Sequence, residues 1–362
     1  MSARRPIVVD CDTGIDDSLA LLYLLASDDA EVVAITCCSG NVEAHQVAEN
    51  NRGLLELIGQ GDIEVALGRT VPLVRPLEIT PETHGPRGVG YAELPAGRRP
   101  LSERHAADVF AEEARQRPGE LTLLCIGPLT NLAVALQREP ALPGLLRRLV
   151  IMGGAFRVPG NTTPVSEWNI HCDPDAARAV MHAWTAAIEA DPGVARILAL
   201  GLDVTEQAVI LPEHVVALAR RAGSRPDDSI ALSQGEDPMR ATRSVADNAV
   251  IRFVADALRF YMEFHATYDG FYGAFIHDPL AAATALDESL VRTEALAVDV
   301  EIEGMLTAGQ TIADSRGLWH RPPNVDVAIS ADADEFLRRL IERIGALAER
   351  LGVAATTPDV AP

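Results

Sequence analysis

The sequence predicts an α/β protein with an open, mostly parallel central sheet flanked by helices. Short β-branched runs alternate with longer helical patterns along the chain, as expected of strands joined by crossover helices. Of the 362 residues, 48% are hydrophobic, which is enough for a large core. Because parallel sheets are covered on both faces, their strands read as short continuous apolar runs, and such runs occur here.

The first half of the chain shows this alternation most clearly. Asp16–Ala26 is predicted as a helix, and its acidic first turn suits the positive end of a helix dipole. Two further helices are expected over Glu43–Ile58 and Leu129–Arg138. The predicted strands of this half are Ile7–Val9, Glu31–Thr36, Leu121–Ile126, Leu149–Met152 and Ala195–Leu200.

A polar segment at residues 223–247 interrupts the second half, and we expect it to be a flexible excursion near the functional site. With no internal repeat and no sharp change of composition, residues 1–352 are expected to form one domain, followed by a frayed tail at residues 353–362. The other predicted elements are helices over Ala249–His265 and Glu335–Leu351 and strands over Val291–Glu303 and Asn324–Ile329.

The charge balance excludes several classes of protein. There are 31 basic residues against 52 acidic ones, giving a formal net charge of -21, and every basic residue is an arginine. Without lysine there is no Schiff-base, pyridoxal-phosphate or P-loop lysine. The acidic excess also argues against nucleic acid or an anionic membrane as a partner, because both require a basic surface. It is compatible with cation binding.

The cysteines and the hydropathy pattern predict a cytoplasmic protein. The five cysteines are an odd number without C-x-x-C spacing, which argues against a disulfide framework or a zinc site. The first residues do not resemble a signal peptide. No apolar stretch approaches the roughly 18–20 residues of a membrane-spanning helix.

Four carboxylates lie within the eight residues Asp10–Asp17, directly after the first predicted strand and at the start of a helix. In an open α/β sheet, ligands bind at the carboxyl ends of strands. Like charges packed this closely repel each other unless a cation or a proton shares the site. A hard divalent cation such as Ca²⁺ or Mg²⁺ would suit these oxygen ligands.

Other interpretations of this cluster are also open. It could be a solvated acidic loop that caps a helix. An EF-hand is excluded, because Ile15 and Leu21 stand where that loop requires glycine and glutamate. A Mg²⁺-dependent aspartyl phosphatase is a closer alternative, since Asp10–Thr13 imitates its D-x-D-x-T opening. Gly14 occupies the position of its threonine, however, and the lysine that usually neutralises the phosphate is missing.

The segment Asp10–Asp17 reads D-x-D-x-G-x-D-D, which is similar to the opening motif of the inosine–uridine nucleoside hydrolase family. Further matches follow in the same order and together span about residues 7–330. The resemblance implies a nucleoside-hydrolase-like fold with a Rossmann-like core. The other matching segments are Cys38–Asn41, His84–Gly85, Ile126–Ala133, Ile151–Ala155, Gly160–Asn161, Glu167–Asn169 and His277–Leu280.

The resemblance further implies an enzyme that hydrolyses the N-glycosidic bond of ribonucleosides to ribose and free base, in nucleoside salvage and purine or pyrimidine metabolism. Its cofactor would be Ca²⁺, which prefers oxygen ligands. Asp10 would support the metal site without contacting the substrate. The implied calcium ligands are Asp12, Asp17, Asp278 and the main-chain carbonyl of Ile126.

In the implied mechanism, Asp12 is the general base that takes a proton from a metal-bound water. The water attacks C1′ of the ribose with inversion, through a transition state that resembles an oxocarbenium ion. His277 is the candidate general acid for the leaving base, because imidazole titrates near neutral pH.

The same resemblance assigns a set of substrate contacts. Polar side chains would hold the ribose hydroxyls, with Asn161 at the 5′ end, His84 near the base and Met152 beneath the ribose. Trp168 stands where the family usually has phenylalanine, so its larger ring either stacks on a base or fills space. The complete set is Asp16, Asn41, His84, Met152, Asn161, Glu167, Trp168, Asn169 and Asp278.

The sequence leaves the base pocket, the oligomeric state and the base preference undecided. Tyr261, Tyr268 and Tyr272 either line the base pocket or pack on the core. A homodimer or homotetramer is expected, although Ala308 removes an arginine from the family's T-R-G-Q-T turn. The sequence does not rank purine, pyrimidine or modified bases. The competing functions are the aspartyl phosphatase and a non-catalytic protein that binds nucleosides or ribose.

Overall fold

The structure, a computed structural model, describes residues 4–225 and 243–356 of the chain. Its centre is a nine-stranded sheet, and two short strands form a second sheet. Strands β1 to β11 of the described residues are, in chain order, Arg5–Cys11, Ala30–Cys37, Glu64–Leu67, Thr122–Cys125, Arg148–Met152, Ile197–Leu200, Val209–Ile210, Ala274–Phe275, Val291–Val300, Thr311–Asp314 and Val325–Ala331.

The helices connect these strands and cover both faces of the sheet. Four of the described helices begin at a capping side chain that accepts hydrogen bonds from the main chain, and these caps are His105, Glu167, Asp173 and Asn248. In chain order, α1 to α13 are Ile15–Leu25, Ala44–Leu57, Pro81–His84, Ala106–Gln116, Thr130–Arg138, Leu142–Leu145, Trp168–Cys172, Pro174–Ala190, Leu202–Thr205, Pro212–Arg221, Ala249–Tyr268, His277–Leu286 and Ala333–Thr356.

The sheet confirms the predicted mostly parallel architecture. Its strand order is β10-β9-β11-β6-β5-β4-β1-β2-β3, and only β9 runs antiparallel to its neighbours. The segment β3-β2-β1-β4-β5-β6 has the order of a Rossmann-like sheet, which reverses direction between β1 and β4. A crevice forms outside the carboxyl ends of the strands at this point, so the fold itself favours a ligand site between β1 and β4.

Two apolar layers hold the sheet in place. Alternate residues of β1 belong to different layers, with Ile7 and Val9 in one and Val8 in the other, as the two-residue period of a strand requires. Helix α1 is buried over nearly its whole length and packs against α12. As a result, the first turn of α1 lies beside the first turn of α12.

All seven predicted strands and all five predicted helices are present, with shifted ends. The sequence patterns missed β3, β7, β8 and β10, which have only two to four residues each. They also missed the amphipathic helices α4, α8 and α10. Helix α12 was missed as well, because its ten residues are all buried and show no amphipathic period. Helix α13 continues to Thr356, so residues 353–356 of the predicted tail are helical.

Two parts of the predictions concern residues that the structure does not describe. Residues 226–242 of the predicted excursion and residues 357–362 of the predicted tail lie outside the described residues. Among the helices that are described, none has both the length and the apolar character needed to cross a membrane.

Candidate active site

The acidic segment after β1 meets the start of α12 at the crevice between β1 and β4. Asp16 and Asp17 form the first turn of α1, and Asp278 lies in the first turn of α12. Their carboxylate oxygens lie within 4.8 Å of one another. The positive ends of two helix dipoles reduce the cost of this arrangement. The structure therefore joins two segments that are about 260 residues apart in the sequence.

Asp12 and Asp17 are completely buried and held by main-chain donors. The amide of Asn41 donates to Oδ2 of Asp12 at 2.7 Å, and the amide of Gly14 donates to Oδ2 of Asp17 at 2.8 Å. Asn41 Nδ2 also donates to Asp17, at 3.1 Å. Oδ1 of Asp12 is buried and has no hydrogen-bond partner among the described residues. One buried oxygen of the predicted general base is thus left without a hydrogen bond.

The carboxylates of this site destabilise one another's charged forms. Burial raises the pKa of Asp12 and Asp278, and the neighbouring carboxylates raise both further. Burial, followed by the charge of Asp17, raises the pKa of Asp16 to about 7. Burial also raises the pKa of Asp10 to about 7, although Thr36 donates a hydrogen bond to it. A bound cation would relieve this repulsion.

The donor set fits a hard divalent cation. Besides the carboxylates, the carbonyl oxygen of Ile126 faces the site from the end of β4, where it accepts a hydrogen bond from Asn169 Nδ2 at 3.0 Å. Every candidate ligand is an oxygen, as Ca²⁺ and Mg²⁺ prefer. The buried and unpaired Oδ1 of Asp12 also fits such a site, because a cation would supply the partner that this oxygen lacks.

A cavity of about 570 Å³ opens above the carboxylates. It does not reach Asp10, Asp12 or Asp17, which are buried behind its wall. Tyr261 and Tyr268 line the cavity, and Tyr272 does not. The other predicted site residues all line it: Asp16, Asn41, His84, Ile126, Met152, Asn161, Glu167, Trp168, Asn169, His277 and Asp278.

Some of the lining residues form a polar network that is already in place without a ligand. Glu167 accepts hydrogen bonds from the amides of Gly154, Asn169 and Ile170, at 2.8–3.1 Å. Asn169 Nδ2 bridges the carbonyls of Ile126 and Met152. These bonds fix the side chains of the network before any substrate binds.

Trp168 lies beside this network and starts α7. Its amide donates to Oδ1 of Asn161 at 3.1 Å, and its ring stacks on His171 with the ring centroids 6.1 Å apart. Its indole Nε1 is buried without a hydrogen-bond partner among the described residues. The larger ring therefore brings a donor, and not only bulk, to the cavity wall.

The two predicted histidines are buried in the wall. His277 Nδ1 is 2.8 Å from the hydroxyl of Thr205, and His84 Nδ1 accepts a hydrogen bond from the amide of Ile15 at 3.1 Å. Burial is the main reason why the pKa of each ring is lowered to about 3. Both rings are therefore neutral in the free protein at neutral pH.

The cavity wall also contains residues that the motifs did not indicate. Helix α11 presents Phe264 and His265 beside its two tyrosines, at positions i, i+3, i+4 and i+7 of one helix face. This spacing is visible in the sequence, but it is equally typical of core packing. Thr205 carries no such signal, since it ends the four-residue helix α9. The other unpredicted lining residues include Thr80, Glu82, Thr83, Thr162, Glu206, Asp269 and Phe275.

Sequence comparison identifies relatives that extend along nearly the whole chain. A protein from Citrobacter koseri, described as the pyrimidine-specific ribonucleoside hydrolase RihA, is 34% identical over 340 residues, covering 94% of this chain and 97% of the relative. A protein of the same description from Shewanella sp. (strain ANA-3) is 34% identical over 341 residues, covering 94% and 96%.

Comparison with solved structures identifies proteins of the same kind. The purine-preferring ribonucleoside hydrolase from Gardnerella vaginalis superposes with a TM-score of 0.82 at 28% identity, covering 96% of this chain and 100% of that one. The plant nucleoside hydrolase PpNRh1 superposes with a TM-score of 0.80 at 29% identity, covering 94% and 99%. The profile of the inosine-uridine preferring nucleoside hydrolases matches residues 7–338. Because the profile match, the fold and the shared motifs agree, the chain belongs to the inosine-uridine preferring nucleoside hydrolase family.

Proposed function

We propose that the protein is a Ca²⁺-dependent ribonucleoside hydrolase that splits the N-glycosidic bond into ribose and free base. As a member of its family it is a hydrolase that acts on N-glycosyl bonds. The observation that carries the proposal is the mixed lining of the cavity. Its oxygen ligands and fixed polar groups suit a ribose, and its aromatic rings suit a planar base.

For the cation, we assign the carboxylates of Asp12, Asp17 and Asp278 and the carbonyl oxygen of Ile126. Ca²⁺ accepts about 6–8 oxygen ligands in flexible geometry, whereas Mg²⁺ demands a regular octahedron and keeps several waters. A crowded set of carboxylates with a carbonyl therefore favours Ca²⁺. When bound, such a cation would offset the charge of the carboxylates and lower the pKa of a water molecule in the site.

Asp12 is the general base of the proposed reaction. Its Oδ2 is held by the amide of Asn41, and its Oδ1 is left to accept the proton of the attacking water. The water attacks C1′ as the bond to the base breaks, and positive charge develops on the ribose ring. The surrounding carboxylates stabilise that charge, because they are fixed in place before the reaction. No covalent intermediate with the protein is required.

Asp16, Asn41 and Asp278 would hold the ribose hydroxyls next to the cation, while Glu167 and Asn169 hold them from the other side. Asn161, Trp168 and Met152 would enclose the 5′ end and the underside of the ring. Hydrogen-bonding groups that are buried and fixed discriminate strongly against a substrate that lacks their partner. We therefore expect ribonucleosides to be preferred over 2′-deoxyribonucleosides.

We assign proton delivery to the leaving base to His277, and contact with the base to His84. Thr205 orients the ring of His277 through Nδ1, which leaves Nε2 for the substrate. Proton delivery requires a hydrogen on both ring nitrogens, with Nδ1 donating to the hydroxyl of Thr205 and Nε2 donating to the base, so that a neutral ring remains after the transfer. Because burial lowers the pKa of the free ring to about 3, the ring takes up the second proton from solvent as negative charge develops on the departing base.

The test is a panel of purine and pyrimidine ribonucleosides assayed for ribose release with added Ca²⁺, with a chelator, and with Ca²⁺ restored. We expect release that the chelator abolishes and that Ca²⁺ restores. If no ribonucleoside releases ribose under saturating Ca²⁺, the proposal fails, and tight nucleoside binding in that case would indicate a binding protein instead.

The phosphatase alternative requires Asp10 to act as a nucleophile. Asp10 and Asp12 are both buried behind the cavity wall, but they are held differently. Asp10 accepts hydrogen bonds from Thr36 and Asn131, which do not line the cavity, whereas Asp12 accepts one from the amide of Asn41, which does. This position agrees with support of the metal site and not with attack on a phosphate. The homodimer or homotetramer and the cytoplasmic location stay predictions.

A further inference from the structure

His265 lies among the aromatic residues that line the cavity, which is an unusual setting for a polar ring. It is only 4% exposed and lines the cavity wall. Its ring is enclosed by the rings of Tyr261, Phe264, Phe271 and Phe275, with centroids 4.7–5.5 Å away. A polar ring in such a setting needs a hydrogen-bond partner for each nitrogen, because burying an unsatisfied polar atom is costly.

One nitrogen of His265 has a partner and the other does not. Nδ1 lies 2.7 Å from Oδ2 of Asp269, one turn further along α11. A carboxylate only accepts, so Nδ1 carries the hydrogen. Burial lowers the pKa of His265, which keeps the ring neutral and leaves a lone pair on Nε2. Nε2 is buried with no partner among the described residues.

Two carboxylates line the same cavity, Asp269 and Glu206. Burial raises the pKa of Glu206, and the charges of Asp269 and Asp203 raise it further. Among the described lining residues none is an arginine, so no fixed cation offsets them. The cavity wall therefore offers hydrogen-bond acceptors as well as aromatic rings.

We propose that this acceptor wall, formed by His265, Asp269 and Glu206, selects ribonucleosides whose base carries an exocyclic amine over those with an oxo group in the same place. An amine donates to the lone pair of Nε2. An oxo group would place acceptor against acceptor, which is repulsive and leaves Nε2 unpaired. The selection concerns the exocyclic group and not the size of the base, and it rests on the proposed function.

The experiment compares cytidine with uridine and adenosine with inosine, two pairs that exchange an amine for an oxo group at the same ring position. The ratio of kcat/KM within each pair is measured with Ca²⁺ present. We expect the wild-type protein to favour the amine in at least one pair by about tenfold or more, the scale of one lost hydrogen bond plus an unpaired buried group.

Two variants and one control locate the effect. His265→Phe keeps a ring inside the aromatic enclosure and removes the acceptor, so the ratio should fall towards one. Asp269→Asn is at an exposed position and should not disturb folding. The new amide can donate to Nδ1, so that the hydrogen of the ring moves to Nε2. Nε2 then donates, and the ratio should shift towards the oxo base. Glu213→Gln removes a charge from an exposed site outside the cavity and should leave the ratio unchanged.

Each result decides the matter. A wild-type ratio near one, or in favour of the oxo base, overturns the inference while leaving the proposed function intact. Equal losses for both members of a pair in His265→Phe and Asp269→Asn assign the dyad a purely structural role and also overturn it. If no ribonucleoside is hydrolysed, the proposed function itself has failed and this inference falls with it.

Discussion

At the scale of single residues, the side chain of Asp12 lowers the stability of the folded protein, and a bound ligand would restore that stability. Its side chain is fully buried, but Oδ1 lacks a hydrogen-bond partner among the described residues. An unsatisfied buried polar atom costs about 1–3 kcal/mol. Such a cost is expected at a functional position, where a side chain must keep an atom ready for a substrate or a cation.

Asp12→Asn should therefore reduce kcat strongly, because the amide keeps the shape of the carboxylate and cannot take a proton. We expect a loss of about 10²–10⁴-fold, the usual contribution of a general base. Steady-state ribose release measures it, and Ca²⁺ titration of the variant separates lost base catalysis from lost cation binding. The exposed Asp28→Asn is the matched control. Near-normal turnover in Asp12→Asn would falsify the assignment of the base.

His277→Ala tests the assignment of proton delivery. We expect a loss of about 10²–10⁴-fold with natural ribonucleosides, whose bases leave poorly without a proton. With 4-nitrophenyl β-D-ribofuranoside the loss should be small, since nitrophenolate leaves without protonation. Equal losses with both kinds of substrate, measured as kcat, would show that His277 acts in some other way. Thr205→Val should give a weaker version of the same pattern, because it frees the ring without removing it.

At the scale of elements, the loops after the strands bring main chain close to the carboxylates. A Cβ on Gly127, in the loop between β4 and α5, would lie 2.7 Å from Oδ1 of Asp12 and 3.0 Å from Sγ of Cys38. A Cβ on Gly40, after β2, would collide with Oδ2 of the same aspartate. The glycines of these loops are thus needed for close approach to Asp12.

Gly127→Ala should lower activity far more than stability. The added methyl group must displace the carboxylate of Asp12, and overpacking of this kind costs about 1–3 kcal/mol of folding free energy. Ribose release and the midpoint of thermal unfolding measure the two effects. Gly144→Ala, whose Cβ would have its nearest neighbour at 4.0 Å, is the control and should change neither. Unchanged kcat in Gly127→Ala would mean that Asp12 can move without consequence.

At the scale of the whole molecule, the site exists only because distant segments meet at one edge of the sheet. The reversal of strand order between β1 and β4 brings Ile126 beside Asp12, and the packing of α1 on α12 brings Asp278 beside Asp17. A cation that binds all of these segments binds the folded state and not the unfolded chain. Its binding free energy is therefore added to the free energy of unfolding.

Ca²⁺ should accordingly raise the melting temperature and a chelator should lower it. At about 100 times the dissociation constant, the expected gain is about 2.7 kcal/mol. Differential scanning calorimetry over a range of Ca²⁺ concentrations measures the gain. Asp278→Asn should lose most of the Ca²⁺-dependent shift, whereas Asp28→Asn should retain it. A shift of equal size in both variants would place the cation elsewhere.

The local sequence patterns are sufficient to predict much of the fold and many of the cavity residues. Apolar runs of strand length, an acidic helix start and the segment Asp10–Asp17 predict the fold class and most of its long elements. The same motifs indicate eleven residues that line the cavity. These features are predictable because each depends on residues that are neighbours in the sequence, where periodicity and turn chemistry act directly.

The sequence by itself therefore determined the α/β class, seven of the strands, five of the helices and the carboxylate cluster of this protein. Only the tertiary structure decided that Asp12 lies behind the cavity wall, that Thr205 orients His277, and that His265 keeps an unpaired nitrogen among aromatic rings. The physical reason is that burial and hydrogen-bond satisfaction depend on which segments meet in space. A helix face with aromatic residues at i, i+3, i+4 and i+7 has the same sequence pattern whether it packs on a core or borders a cavity.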